Sequence, residues 1–277
     1  AMDAVLVVRS DDAKDRFLGS AFLWGEDGLV AVTNAHVVAG TERVRLIDRH
    51  GEVLSGEVIA RDELRDVAVI SLPRDGHARH GLVASPEPAV LGQPVFALGA
   101  PLGIEFTLTE GLVSAVGRQV DITRPLRLLQ HDAAVNPGSS GGPLVDGDGR
   151  LLGMNSRIAD GSRVFVGIAY AIAAADLERI VNGLIDETLA PFPHLGLTAR
   201  PVDRKVAEAM DIAPGGLLVD AVAGDGRAAA AGLNAGDVII AAGGETITEP
   251  GAFAFAVEAA QESGAVTLEV LRGATMI

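Results

Sequence analysis

The nine residues "NPGSSGGPL" (Asn136–Leu144) place two adjacent serines, Ser139 and Ser140, among three glycines. Serine is a weak nucleophile until a neighbouring base takes its proton, so the stretch has catalytic meaning only beside a base and an orienting acid. One histidine has suitable company. His36, in "VTNAHVV", follows an apolar run, and Asp66, in "LRDVAVISL", directly precedes another. A carboxylate abutting a buried strand needs a partner, because burying an unpaired charge is costly. An imidazole N–H is a suitable one. The glycines serve the same chemistry from the other side. A corner without side-chain bulk lets backbone N–H groups converge on the point where an oxyanion would form. The remaining histidines, His50, His77, His80, His131 and His194, have no such company and read as ordinary structural or surface residues. His77 and His80 in "DGHARH" are two histidines in a polar loop, a weak signal for a metal pair.

Elements must exist to bring these positions together. From residue 4 to about 172 the chain alternates short apolar runs with turns: "AVLVVR", "GSAFLW", "GLVAVTNAHVV", "DVAVISL", "PVFALGA" and "RVFVGIAYAI" are examples. Such spacing predicts closely packed strands in a barrel or sandwich, or in two barrels. "PLVDGDGRLLGMNS" reads as a hairpin with a D-G-D-G turn. The period then changes. Leu177, Ile180, Val181, Leu184 and Ile185 fall on one face of an amphipathic helix. "APFPH", with Pro191 and Pro193, marks the best domain boundary. The rest mixes strands with a short helix ending at Gly232 and a longer one over "EPGAFAFAVEAAQ".

Composition excludes several classes. The net charge of −15 argues against nucleic acid and anionic membrane surfaces, where cationic patches supply the affinity. The absence of cysteine removes disulfides, cysteine-based metal sites and thiol catalysis. No apolar run approaches the ~18 residues of a membrane-spanning helix. Neither a signal peptide nor a phosphate-binding G-x-x-x-x-G-K-[ST] loop is present.

Taken together and in this order, "TNAHVV", "DVAVI" and "NPGSSGGPL" resemble the HtrA (Deg) family of serine endopeptidases, and "AAAAGLNAGDVIIAAGGETI" is similar to the core of the PDZ domain that follows the protease there. The resemblance implies a mainly β chain: a chymotrypsin-like double β-barrel over residues 1–188, a linker at 189–194, and a small α+β PDZ-like domain over 195–277 with an incomplete last strand. It implies that Ser140, not Ser139, is the nucleophile, with His36 as general base and Asp66 orienting it. The oxyanion hole would use the backbone N–H groups of Gly138 and Ser140. Ala134, Ile168, Ala169 and Ala171 would form a small apolar specificity pocket, favouring cleavage after residues such as Val, Ala or Ile.

The PDZ-like part would bind peptide C-termini through His194, Leu195, Gly196 and Leu197. Its helix would form the other wall, with Phe253 or Phe255 lining the groove or packing in the core. Ile277 would be available to a neighbour's groove. Segments 100–107, 117–127 and 157–165 correspond to the family's regulatory loops. The implied activity is ATP-independent degradation of unfolded proteins, without metal or other cofactor. A homotrimer or larger assembly is implied, outside the cytoplasm, periplasmic or membrane-anchored, with any leader lying outside these residues. The competing reading is a peptide-binding chaperone or adaptor with a latent protease domain.

Overall fold

The structure is a computed structural model that describes residues 1–277 except 75–78, 102–105, 159–164, 210–211, 213–214, 262 and 274. His77 and parts of segments 100–107 and 157–165 therefore lie outside the described residues. The chain divides into two compact units. One comprises residues 1–118 and 127–189, the other 119–126 and 190–277.

The first unit holds two closed six-stranded antiparallel barrels. Barrel one is built from β1 (Val5–Ser10), β2 (Phe17–Trp24), β3 (Val30–Thr33), β4 (Arg43–Ile47), β5 (Val53–Asp62) and β6 (Val67–Ser71). The run Val5–Val8 is buried at every position rather than at alternate ones. Barrel two comprises β7 (Pro94–Gly99), β8 (Thr107–Arg118), β9 (Leu128–His131), β10 (Pro143–Val145), β11 (Leu151–Ile158) and β12 (Ala169–Ala173). β10 and β11 form the expected hairpin, where the Asp146 carboxylate accepts from the N–H groups of Asp148 and Arg150.

Two strands are shorter than their apolar runs suggest. β3 stops at Thr33, because residues 34–38 turn with Val37 N–H donating to the Asn34 carbonyl. β12 begins only at Ala169. Helix α1 (Ala174–Ile185) buries Leu177, Ile180 and Val181 as its period requires, whereas Ile185 at its end is 43% exposed.

Among the described residues, the second unit is a six-stranded sheet with three helices. Its elements are β13 (Leu197–Pro201), α2 (Arg204–Ala209), β14 (Leu217–Val222), α3 (Arg227–Ala230), β15 (Val238–Ala242), β16 (Glu245–Thr246), α4 (Pro250–Ala259), β17 (Leu268–Arg272) and β18 (Thr275–Met276). Gly232 closes the α3 turn in the left-handed region, φ +85°, as expected of a glycine there. Ile277 exchanges two backbone hydrogen bonds with Val270. This corrects the expectation of a free C-terminal residue: its backbone is committed to its own sheet.

Residues 119–126, read from the sequence as part of a barrel loop, pack with this unit. Gln119 N–H donates to Glu249 Oε2 at 2.8 Å, its carbonyl accepts from Gly251 N–H at 3.0 Å, and Ile122 joins the apolar cluster around Phe253.

Candidate active site

Strand register brings His36 to Asp66. β3 runs antiparallel to β6 with Thr33 opposite Ala68, so residues just past the end of β3 meet those just before the start of β6. His36 lies on the turn after Thr33, and Asp66 is the residue before β6. Asp66 adopts φ +57°, uncommon for a residue with a side chain. Its neighbours fix that conformation. Asn34 Nδ2 donates to its carbonyl at 3.0 Å, and the buried Arg65 pairs with Asp62 in the same turn.

The Asp66 carboxylate is 6% exposed and well supplied with donors. Oδ1 accepts from the His36 backbone N–H at 3.1 Å and lies 2.9 Å from His36 Nδ1. Oδ2 accepts from Ser156 Oγ at 2.9 Å. A carboxylate bonded to Nδ1 selects the tautomer in which Nδ1 carries the proton and Nε2 is the basic nitrogen. The ring is half-exposed and lines a cleft of about 420 Å³ with Gly138, Ser139, Ser140 and Ser156. Ser140 Oγ donates to the Ser156 carbonyl at 3.1 Å. Ser156 thus touches both ends of the constellation: its hydroxyl holds the acid and its carbonyl holds the Ser140 hydroxyl. Passing the proton of Ser140 to His36 requires that hydroxyl to leave the Ser156 carbonyl.

Folded chains leave few amides unpaired, and most of those around Ser140 are bonded. Ser139 N–H donates to the Asn136 carbonyl, Gly141 N–H to that of Asn155, and Gly142 N–H to that of Ser139. Among the described residues, the N–H groups of Gly138 and Ser140 donate to no backbone acceptor. Gly138 has φ +106°, and a Cβ there would stand 2.3 Å from the Ala100 carbonyl oxygen, so only glycine fits. The pattern leaves two amides open beside one hydroxyl, the arrangement that can stabilise a developing oxyanion.

The residues expected to form the specificity pocket do not line this cleft. Ala134 is exposed, its carbonyl accepting from Thr109 Oγ1. Ile168 is also exposed, while Ala169 and Ala171 are fully buried in the core of barrel two. The cleft wall beside Ser140 is instead formed by Val135, Asn155, Arg157 and Tyr170. The physical reason is alternation along β12: with Ala169 and Ala171 facing inward, Tyr170 faces the other way.

A second concavity, about 900 Å³, lies in the second unit. Its lining includes His194, Leu195, Leu197, Phe253, Val257 and Leu268. Gly196 and Phe255 are not among the lining residues. Gly196 instead packs its backbone on Gly226, and its carbonyl accepts from Ala223 N–H at 2.7 Å. Among the described residues, β13 is an edge strand paired only with β14.

Residues 19–154 match the family described as trypsin-like peptidase domain. The chain is 35% identical over 93% of its length to a probable periplasmic serine endoprotease, DegP-like, of Halomonas elongata, covering 54% of that protein. A protein of the same description from Hahella chejuensis is 38% identical over 83% of this chain and 49% of its own. The chain thus spans about half the length of these curated relatives. Among solved structures, the HtrA-type protease AlgW with tripeptide aligns over 100% of this chain and 92% of its own, at 26% identity and a TM-score of 0.76. The serine endoprotease from Yersinia pestis aligns over the same shares at 26% identity and a TM-score of 0.70. With two closed barrels, a matched trypsin-like peptidase domain over residues 19–154 and this likeness along the whole chain, the protein is similar to the HtrA-type proteases.

Proposed function

We propose that this chain is a serine endopeptidase in which Ser140 is the nucleophile, His36 the general base and then acid, and Asp66 the group that orients the imidazole. Ser140 Oγ, once turned from the Ser156 carbonyl, gives its proton to His36 Nε2 as it attacks the scissile carbonyl carbon. The carbonyl oxygen becomes the oxyanion, received by the N–H groups of Gly138 and Ser140. His36 returns the proton to the departing amine, leaving an acyl-enzyme on Ser140. Water, deprotonated by His36, then releases the acid product. The single observation that carries this reading is the buried Asp66 carboxylate bonded to His36 Nδ1 in the same cleft as Ser140 and its two open amides.

The cleft wall of Val135 and Tyr170 suits a side chain of apolar character. Apolar residues are mostly buried in folded proteins, so such a site acts on unfolded chains and needs no nucleotide. The groove of the second unit suits a peptide C-terminus added alongside the open edge of β13, with α4 as the opposite wall. The names of the relatives support a periplasmic or otherwise extracytoplasmic setting, and a homotrimer or larger assembly is what the motifs' resemblance implies.

Hydrolysis of an unfolded protein by the wild type and by Ser140→Ala tests the assignment. Activity is expected in the wild type and lost in the variant. Hydrolysis that survives the substitution overturns it, and aggregation suppression without any wild-type hydrolysis favours the chaperone reading.

A further inference from the structure

One residue of barrel one holds the backbone of the nucleophile turn from outside it. Ser20, on β2, is fully buried. Its Oγ accepts from Ala100 N–H at 2.9 Å and donates to the Gly138 carbonyl at 2.6 Å. The direction is unambiguous, because the backbone N–H can only donate and the carbonyl can only accept. Ser20 N–H in turn donates to the Ser140 carbonyl at 3.0 Å, and the Ser20 carbonyl accepts from Thr33 Oγ1 at 2.6 Å. Both carbonyls that bracket Ser139 are thus tied to the same residue of the other barrel.

The Gly138–Ser139 peptide is clamped at both ends: its carbonyl by Ser20 Oγ and its N–H by the Asn136 carbonyl, at 2.9 Å. The Ser139–Ser140 peptide is clamped only at its carbonyl, by Gly142 N–H at 3.0 Å, leaving Ser140 N–H open. Gly138 N–H is the other open donor. Between them sits the one peptide that cannot turn. Gly138 itself is the least constrained residue type, and its φ of +106° is held by what surrounds it. The Ser20 hydroxyl is the only side-chain group among the described residues bonded to the Gly138 carbonyl.

We propose that Ser20 is a positioning residue for the oxyanion hole: its hydroxyl fixes the Gly138–Ser139 peptide and so keeps the N–H groups of Gly138 and Ser140 convergent. This rests on the endopeptidase reading above. Without the hydroxyl, the Gly138 carbonyl and the Ala100 N–H lose their shared partner in a buried place, and the clamped peptide gains freedom to rotate. Ground-state substrate contacts are untouched; the interaction with the developing oxyanion is lost.

The test compares wild type, Ser20→Ala and Ser140→Ala, with the folded fraction of each measured by circular dichroism so that only folded enzyme is counted. For a peptide substrate, Ser20→Ala is expected to lower kcat on the order of 10²-fold, the scale of losing one oxyanion donor, with KM within about twofold. Two inhibitors separate positioning from a merely structural role. A peptide aldehyde adds the Ser140 oxygen to its carbonyl and places the resulting oxygen at the two amides. A product peptide with the same side chains does not. Ser20→Ala should weaken the aldehyde by the same factor as kcat and leave the product peptide unchanged. Equal weakening of both, or a kcat within about twofold of wild type, overturns the proposal. Should Ser20→Ala fail to fold, Ser20→Cys keeps the shape with a weaker donor and must show the same split; equal weakening there also overturns it. A wild type without hydrolysis, or a Ser140→Ala that retains it, refutes the endopeptidase reading itself, whatever Ser20 does.

Discussion

Acid should weaken this protein through one histidine that takes no part in the proposed chemistry. His131, at the end of β9, is fully buried between Val113 of β8 and Ala169 of β12. Neither ring nitrogen has a hydrogen-bond partner at normal distance among the described residues. Burial favours the neutral ring and lowers its pKa from 6.5 to about 4, against weaker opposing effects from Asn155, Asp132 and the Ala133 backbone. The unfolded chain therefore takes up this proton before the folded one does. The neutral ring's full contribution is present above pH 6.5 and is lost as pH falls toward 4. One pKa unit is about 1.4 kcal/mol, so the loss is about 2 kcal/mol by pH 5 and about 3 kcal/mol by pH 4. His131→Leu keeps a similar volume without the titrating group. Denaturant unfolding of both proteins, followed by the single tryptophan, Trp24, at pH 7, 5 and 4, reads the difference directly. The variant should be at least as stable at pH 7 and should lose about 3 kcal/mol less between pH 7 and 4. Parallel pH curves would refute the argument, because carboxylates elsewhere titrate alike in both proteins.

Three further outcomes follow from the geometry. Ser156→Ala removes the hydroxyl on Asp66 Oδ2 but not the backbone carbonyl, and steady-state kinetics should show kcat lowered about tenfold, the scale of one hydrogen bond to a charged group. Gly138→Ala puts a Cβ 2.3 Å from the Ala100 carbonyl oxygen at φ +106°; kcat should fall ~100-fold or more while product-peptide affinity stays near wild type. In the second unit, Arg272 makes two bonds of 2.8 Å to the buried Asp237, whose pKa they lower. That stability is present above the unfolded carboxylate range and is lost as pH falls through the folded value. Asp237→Asn should therefore destabilise the protein at pH 7 and do so progressively less in acid, measured by denaturant unfolding of the full chain.

The chemistry-bearing side chains were legible because each sits in a local pattern: a histidine after an apolar strand, an aspartate before another, a serine in a glycine corner. The residues that hold them were not. Ser156 reaches Asp66 across 90 positions, Ser20 reaches Gly138 across 118, and Asn34 reaches the Asp66 carbonyl across 32. A serine or asparagine inside an apolar strand carries no local mark of such a partner. Which residues line the cleft beside Ser140 was hidden for a different reason. Reading Ala169 as a wall residue requires knowing which face of β12 is inward, and a strand flips its face with every residue. The density of short apolar runs pointed to a barrel or sandwich, since either buries one face of every strand, and the double barrel was implied only by the motifs' resemblance to a known family. The attachment of residues 119–126 to the second unit was not, because it depends on a pairing between Gln119 and the turn before α4 that no periodicity announces.

That attachment changes what an excision experiment means. The proline-rich stretch at 190–193 looks like the natural place to divide the chain, yet the polypeptide passes from one unit to the other three times, after residues 118, 126 and 189. A fragment ending at Leu189 would retain Ile122 while losing the apolar cluster that shelters it. The shortened piece would carry a greasy stub on its surface, and its solubility and tendency to self-associate would reflect the scissors as much as the barrels.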